Sequence, residues 1–238
     1  MPLEPVRTLL MPPTDKVVSF DGVDDYVRVD DELITQIIDS GCNYTIEVFM
    51  LPRCIANRPI AVGWTYMKIQ VWPDGKLEFA QAYDGSYASG YDAYLSGAVE
   101  VGYYIHVVAK HQKDVGAWLY LNCSIIASDT AKTGVTPDIN TPVRVGGWGP
   151  TYYLDGEIAL VRVYTDLLTD EEVLDNFYGR VTKDGLVLYL HGDDATETTW
   201  PDRSGYGNDG TVYGATPVTI KQSPLRSLEP VRTLAPVR

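Results

Sequence analysis

Asp21, Asp24, Asp25, Asp30 and Asp31 fall within eleven residues, and carboxylate oxygens at that density suit a hard cation such as calcium. The spacing does not follow an EF-hand loop, so charge alone points to a cation. Asp21, Asp24 and Asp25 are the candidate calcium ligands; the competing role is capping of the Asp21-Gly22 turn through side-chain to backbone bonds. A second group is aromatic. Tyr83, Tyr87, Tyr91 and Tyr94 are interleaved with Gly85 and Gly90, and Trp64, Tyr66, Trp72 and Trp148 stand elsewhere. The 4-4-3 spacing imitates a helix, but the glycines argue for a loop. Exposed rings stack on sugars and serve equally in protein interfaces. Tyr83, Tyr87, Tyr91, Tyr94 and Trp148 are therefore candidates for a ligand or interface surface, with interface or core preferred over sugar. His106, His111 and His191 are not spaced as a metal triad, and no serine sits in a nucleophile elbow.

The elements that must carry these residues are strands. Tyr44–Met50 alternates, with Ile46, Val48 and Met50 on one face and Thr45, Glu47 and Phe49 on the other. Similar runs occur at 16–20, 26–29, 60–62, 67–71, 77–80, 104–110, 117–121, 124–127, 142–146 and 157–164, with turn signals at Asp21-Gly22, Pro73-Asp74-Gly75 and Asn122-Cys123. One helix is predicted from Thr169, where Thr169 and Glu172 form a capping box, to about Gly179. Regular short strands with one short helix predict a two-sheet sandwich.

At 238 residues the chain can bury a full-sized core as a single domain. Its net charge of -13 argues against nucleic acid and anionic membranes as partners, because phosphate is bound through lysine and arginine. Met1-Pro-Leu-Glu-Pro shows no basic or apolar leader, and no stretch approaches the ~18 apolar residues of a spanning helix. If the protein is exported, a leader has been removed or it leaves another way, for instance in a virus particle released at lysis. Cys42 and Cys54 flank an extended run that separates them by roughly 25 Å, beyond disulfide reach; Cys123 is left either to pair with one of them or to remain a thiol. Asn43-Tyr44-Thr45 and Asn122-Cys123-Ser124 are glycosylation sequons that count only on export.

Phe20-Asp21-Gly22-Val23-Asp24-Asp25-Tyr26-Val27 resembles the signature that opens many laminin-G-like jelly rolls of the concanavalin A-like superfamily. Residues 44–52, 102–109, 118–126 and 156–173 resemble later elements of the same fold, in the right order. The resemblance implies an all-β jelly roll of two antiparallel sheets with one short helix, covering residues 16–180 between an N-terminal tail (1–15) and a strand segment (181–220) followed by a C-terminal tail (221–238). Ala159 and Leu160 replace an acidic pair usual in the family, which puts in doubt any contact those acids make. The superfamily's glucanases need carboxylates spaced as E-x-D-x-x-E on one strand. Here Glu47 is alone on its strand, and the Ile158 strand is expected to carry only Glu157. His106 stands where the family has a strand histidine of structural use, so no catalytic residue is assigned.

Gly185-Leu186-Val187-Leu188-Tyr189-Leu190 and the turn at 202–215 resemble segments that open the fold in relatives, yet here they close the chain. Some copy of this segment must fill the gap, because an unpaired sheet edge leaves backbone donors and acceptors open. Either the chain's own strand returns or it completes a neighbour and builds a filament. The recurrence of Leu3–Leu9 as Leu228–Leu234 favours the neighbour. The resulting expectation is a non-catalytic subunit of an extracellular or virion surface assembly, its main partner itself as a homopolymer. The alternative is a monomeric module that binds cell-surface glycans.

Overall fold

Strand Tyr44–Met50 sets the architecture, because it is buried on both faces rather than one. A computed structural model of the chain describes residues 12–30, 43–65, 67–82, 91–130 and 141–220, with Leu33, Thr35 and Ile37; for 91–95 it describes the backbone alone. Two antiparallel sheets pack face to face. The first runs Ser124–Asp129 (β10), Gly116–Leu121 (β9), Ile105–Gln112 (β8), Tyr44–Cys54 (β3), Asp155–Tyr164 (β12), Lys16–Asp21 (β1) and Thr216–Thr219 (β16), with Leu186–His191 (β13) also on β12. The second runs Thr199–Trp200 (β14), Gly210–Tyr213 (β15), Tyr26–Val29 (β2), Val143–Val145 (β11), Ile60–Trp64 (β4), Met67–Val71 (β5), Lys76–Ala82 (β6) and Tyr91–Ala98 (β7).

Ile46, Val48 and Met50 enter the main core between the sheets, together with Met67, Ile69, Val71, Leu77 and Phe79. Phe49, on the other face of β3, enters a second cluster with Leu168 and Val173. That second layer exists because a helix, Asp170–Phe177, lies over the outer face of the first sheet. Its N-terminus is the predicted capping box: the Thr169 hydroxyl accepts from the Glu172 amide at 3.2 Å and the Glu172 carboxylate accepts from the Thr169 amide at 2.7 Å. It ends where Gly179 turns left-handed at φ +83°, a conformation costly for other residues. Leu33, Thr35 and Ile37 are helical as well, with Leu33 and Ile37 in the core.

The C-terminal segment completes the sandwich it belongs to. Leu160–Tyr164 of β12 pairs with β13, while Asp155–Ile158 pairs with β1. β16 then pairs with β1, and β15 with β2, so the segment 185–219 surrounds the signature turn of the opening strands. Asp202 fixes it, accepting from the amides of Tyr189 (2.8 Å), Ser204 (2.9 Å) and Asn208 (3.0 Å) and from the Ser204 hydroxyl (2.6 Å). Of the two placements the sequence leaves open, the structure holds the chain's own strand in its own sheet and gives no support to a donor-strand homopolymer. The physical reason is proximity, since a strand tethered through one short helix meets its own sheet at a far higher effective concentration than another molecule's. The repeat at 3–9 and 228–234 lies outside the described residues.

Two further expectations change. Tyr91 and Tyr94 belong to strand β7, opposite Ala82 and Ala80, rather than to a loop; Tyr83, Tyr87 and Tyr66 lie outside the described residues. β12 begins two residues earlier than expected, so Asp155 joins Glu157 on that strand. Cys54 and Cys123 are thiols, and Cys42 lies outside the described residues.

Candidate functional site

The two sheets differ in what covers their outer faces. On the first, the centre is closed by the helix over a buried polar cluster. Glu47 on β3 stands opposite Arg162 on β12, which stands opposite Tyr189 on β13. Glu47 accepts from Arg162 Nη1 (3.0 Å) and from Asn176 Nδ2 of the helix (3.0 Å), and lies 2.7 Å from His106 Nε2. Burial would raise the Glu47 carboxyl, but Arg162 and His106 more than offset it and hold the group at about 2. Arg162 also bonds the Tyr189 hydroxyl at 3.1 Å and lies over its ring. The acid–histidine pair has the look of a catalytic device, but Glu47, His106, Arg162 and Asn176 are all at most 1% exposed. The Cys123 thiol, within reach of the Glu47 charge, is pushed up to about 11 by burial and then by Glu47, which keeps it protonated and unreactive at neutral pH. This cluster locks the helix and β13 onto the sheet.

Near the sheet edge, Asp155 and Glu157 share the guanidinium of Arg53, at 3.2 and 2.9 Å, and Glu157 accepts from the Tyr104 hydroxyl. Both acids are thus engaged in an ion pair that ties β3 to β12.

The outer face of the second sheet carries a different set of polar residues. Directly opposed residues in a sheet share one face, and one such row crosses four strands: Arg28 (β2), Arg144 (β11), Gly63 (β4) and Lys68 (β5). Alternation explains which side it takes, since Val27, Val29, Val143, Val145, Met67 and Ile69 are in the core. Gly63 keeps the floor of this row low: a Cβ there would meet the Met67 carbonyl oxygen at 3.0 Å and Ile60 Cγ2 at 3.2 Å. The result is a cavity of about 250 Å³ whose lining includes Arg58, Gly63, Thr65, Lys68, Gln70, Trp148 and Tyr152, small beside drug-sized pockets but of a size for a sugar ring.

The walls are fixed by bonds. Gln70 and Glu78 are opposed on β5 and β6; Gln70 Nε2 donates to Glu78 at 2.7 Å and Trp72 Nε1 donates to its other oxygen. Trp72 in turn supports the Arg58 guanidinium, 4.1 Å from the ring centroid. Burial lowers the Lys68 ammonium below its usual value; Glu78 opposes that shift and Arg58 adds to it. On the far side the loop after β11 is pinned by Gly146 N–H to the Ala61 carbonyl (2.9 Å) and by the Tyr152 carbonyl, which accepts from the Ile60 amide (3.2 Å). That loop presents Trp148 and Tyr152. Arg144 lies 4.5 Å from the Tyr26 ring and 5.5 Å from Trp148, and Tyr26 stacks on Tyr213 at 4.6 Å.

Of the expected site residues, Trp148 is in this cavity. Asp21, Asp24 and Asp25 do meet, with carboxylate oxygens within 4.8 Å of one another, at the turn between β1 and β2. Asp25 accepts from the Asp21 amide (2.9 Å) and Asp21 from the Val23 amide (2.8 Å), so the turn-capping role is present. Burial, and the charges of Asp21 and Asp24, raise the Asp25 carboxyl. Three carboxylates supply part of the six to eight oxygens calcium takes, the remainder falling to carbonyls or water. Arg58, Lys68, Gln70, Glu78, Arg144 and Tyr152 were not singled out from the sequence. The alternation of Met67–Val71 does put Lys68 and Gln70 on the outer face, but the register that brings Arg144 beside Gly63 has no local signal.

Residues 21–174 match the family model of the concanavalin A-like lectin/glucanases superfamily, in its laminin-G-like form. The chain belongs to this superfamily. No curated protein matches the laminin-G-like chain. Among solved structures, it is similar to a candidate carbohydrate-binding protein from Bacteroides ovatus, at TM-score 0.67 and 17% identity over 88% of this chain and 61% of that one. It therefore spans about three fifths of that protein's length. It is also similar to the Ruminococcus gnavus IT-sialidase CBM40, at TM-score 0.51 and 14% identity over 71% of this chain and 100% of that one. A third likeness is to a Trypanosoma rangeli sialidase in complex with the inhibitor DANA, at TM-score 0.52 and 15% identity, covering 68% of this laminin-G-like chain and 27% of the sialidase. No helix among the described residues is long and apolar enough to cross a membrane.

Proposed function

We propose that the chain is a non-catalytic glycan-recognition module that acts outside the cell, with the sugar seated in the cavity on the second sheet. The observation that carries this reading is the cavity of about 250 Å³ on the second sheet, with a floor lowered by Gly63 and with polar and aromatic side chains converging on it. Trp148 and Tyr152 offer apolar surface for a pyranose ring, and Thr65, Gln70 and Lys68 offer hydrogen bonds to hydroxyls, the mixture expected of a saccharide site. The designations of the Bacteroides ovatus protein and the Ruminococcus gnavus CBM40 support it by analogy of fold, which on its own fixes no function.

Chemistry on the sugar finds no support. Asp155 and Glu157 are held by Arg53, Glu47 is closed off beneath the helix, and Cys123 is a protonated thiol. A subunit completed by its neighbour's strand is the weaker reading, because β13 occupies its own sheet. Neither reading calls for insertion into a membrane or for nucleic acid.

A glycan array tests the proposal. The wild-type protein is expected to bind at least one class of glycan, and Trp148→Ala to lower that affinity by about tenfold or more, ~1.4 kcal/mol or above, with an unchanged far-ultraviolet circular dichroism spectrum. A blank array, or full binding by a folded Trp148→Ala protein, would refute the assignment.

A further inference from the structure

We infer that the sugar this cavity takes is anionic, carrying a carboxylate or a sulfate ester. The inference rests on the glycan reading above and specifies its ligand. Its basis is where positive charge has been left without an internal counter-charge. The chain carries 32 acidic and 19 basic residues, so an arginine with no carboxylate beside it is unexpected. Arg28, Arg53, Arg162, Arg180 and Arg203 each hold one. Arg58 and Arg144 hold none among the described residues; Arg58 lines the cavity, and Arg144 stands next to it, opposite Gly63 and 5.5 Å from the ring of Trp148, both of which line it. Each is supported instead by rings: Arg58 by Trp72, Arg144 by Tyr26 and Trp148.

A guanidinium laid on a ring keeps its planar fork of N–H donors oriented while leaving those donors unspent. Such a fork recognises carboxylate or sulfate oxygens in pairs, with shorter and stronger bonds than neutral donors make. Glu78 is fully buried, and each of its oxygens accepts a hydrogen bond, one from Gln70 and one from Trp72. Lys68, which lines the cavity and follows Arg144 and Gly63 in the cross-strand row, adds a third cation. In a protein of net charge -13, long-range attraction would not deliver an acidic glycan. Recognition must come from this local site, within roughly one Debye length of about 10 Å at 0.1 M salt.

Isothermal titration with 3′-sialyllactose, a heparin-derived tetrasaccharide, lactose and cellotetraose tests the inference on the intact chain. At least one of the two acidic probes is expected to bind about tenfold or more tighter than either neutral one. The sialyllactose arm alone responding identifies a carboxylate, the heparin arm alone a sulfate. Arg58→Gln and Arg144→Gln are each expected to lose about tenfold for the acidic probe and little for the neutral ones. Arg144→Lys, which keeps the charge and loses the fork, is expected to restore only part. Melting temperatures within ~3 °C of wild type identify folded variants. Neutral probes binding as well as acidic ones, or acidic binding unaffected in both folded glutamine variants, overturns this inference alone. Failure of every probe, neutral and acidic, would instead count against the glycan reading itself.

Discussion

Replacing Glu47 with alanine is expected to cost about 3–5 kcal/mol of folding stability. The magnitude follows from what is left behind. Arg162 is fully buried, and without Glu47 its charge has only the Tyr189 hydroxyl, a long contact to the Asn176 carbonyl and the Tyr189 ring for company. Breaking a buried pair exposes the desolvation cost of the survivor, whereas removing both partners does not. The double variant Glu47→Met, Arg162→Met is accordingly expected to recover a large part of the loss. Urea denaturation of the wild type and the two variants measures this, and equal stabilities for the single and double variants would contradict it. The same carboxyl sets an acid limb. Its value falls from 4.5 in the unfolded chain to about 2 in the fold, so its contribution is complete above about 4.5 and is lost as pH falls toward 2. Glu47→Gln flattens the stability curve across that window.

A chain ending at residue 184 is expected not to fold, and the peptide 185–220 supplied in trans is expected to restore it. Truncation removes Val187, Leu188, Leu190, Trp200 and Val212 from the core. At about 1.5–3 kcal/mol per buried large side chain, their loss is comparable to the roughly 5–15 kcal/mol by which domains are ordinarily stable. It also strips β12 of its partner over Leu160–Tyr164. Near-ultraviolet circular dichroism reports rescue. A truncated chain that melts cooperatively by itself would show that the segment is an accessory. Because the strand belongs to its own sheet, the full-length melting temperature is expected to be independent of protein concentration; a dependence would return the neighbour-completed assembly to contention.

The local pattern of side chains made most of the sandwich readable. Ile46, Val48 and Met50 announced the inner face of β3, and the Thr169–Glu172 pair announced the helix. The resemblance of 185–190 and 202–215 to opening elements of the family showed that a strand segment had moved to the end of the chain, but left open whose sheet it fills. What the sequence could not disclose lies in register. Glu47 and Arg162 are 115 residues apart, and nothing local to either reports the other. Arg144, Gly63 and Lys68 meet because β11, β4 and β5 happen to be neighbours, an order set by the whole sheet. The recurrence at 3–9 and 228–234 suggested exchange between molecules, but a repeat carries no geometry. The structure shows β13 in its own sheet, as a short tether favours. Tyr91 and Tyr94 followed a helix-like spacing next to glycines, yet pairing with β6 makes them strand.

The five tryptophans allow the central claim to be tested in one experiment, because each carries a distinct indole N–H signal in a two-dimensional ¹H–¹⁵N spectrum. Trp148 lines the cavity and Trp72 braces it through Arg58 and Glu78. Trp118 packs against the helix-side cluster on the opposite sheet, and Trp200 is fully buried with its N–H donated to the His191 carbonyl at 2.8 Å. On titration with a bound glycan, the Trp148 and Trp72 signals are expected to move together while those of Trp118 and Trp200 stay in place. Movement of Trp118 with Trp148 unmoved would place the ligand on the other sheet and contradict the account.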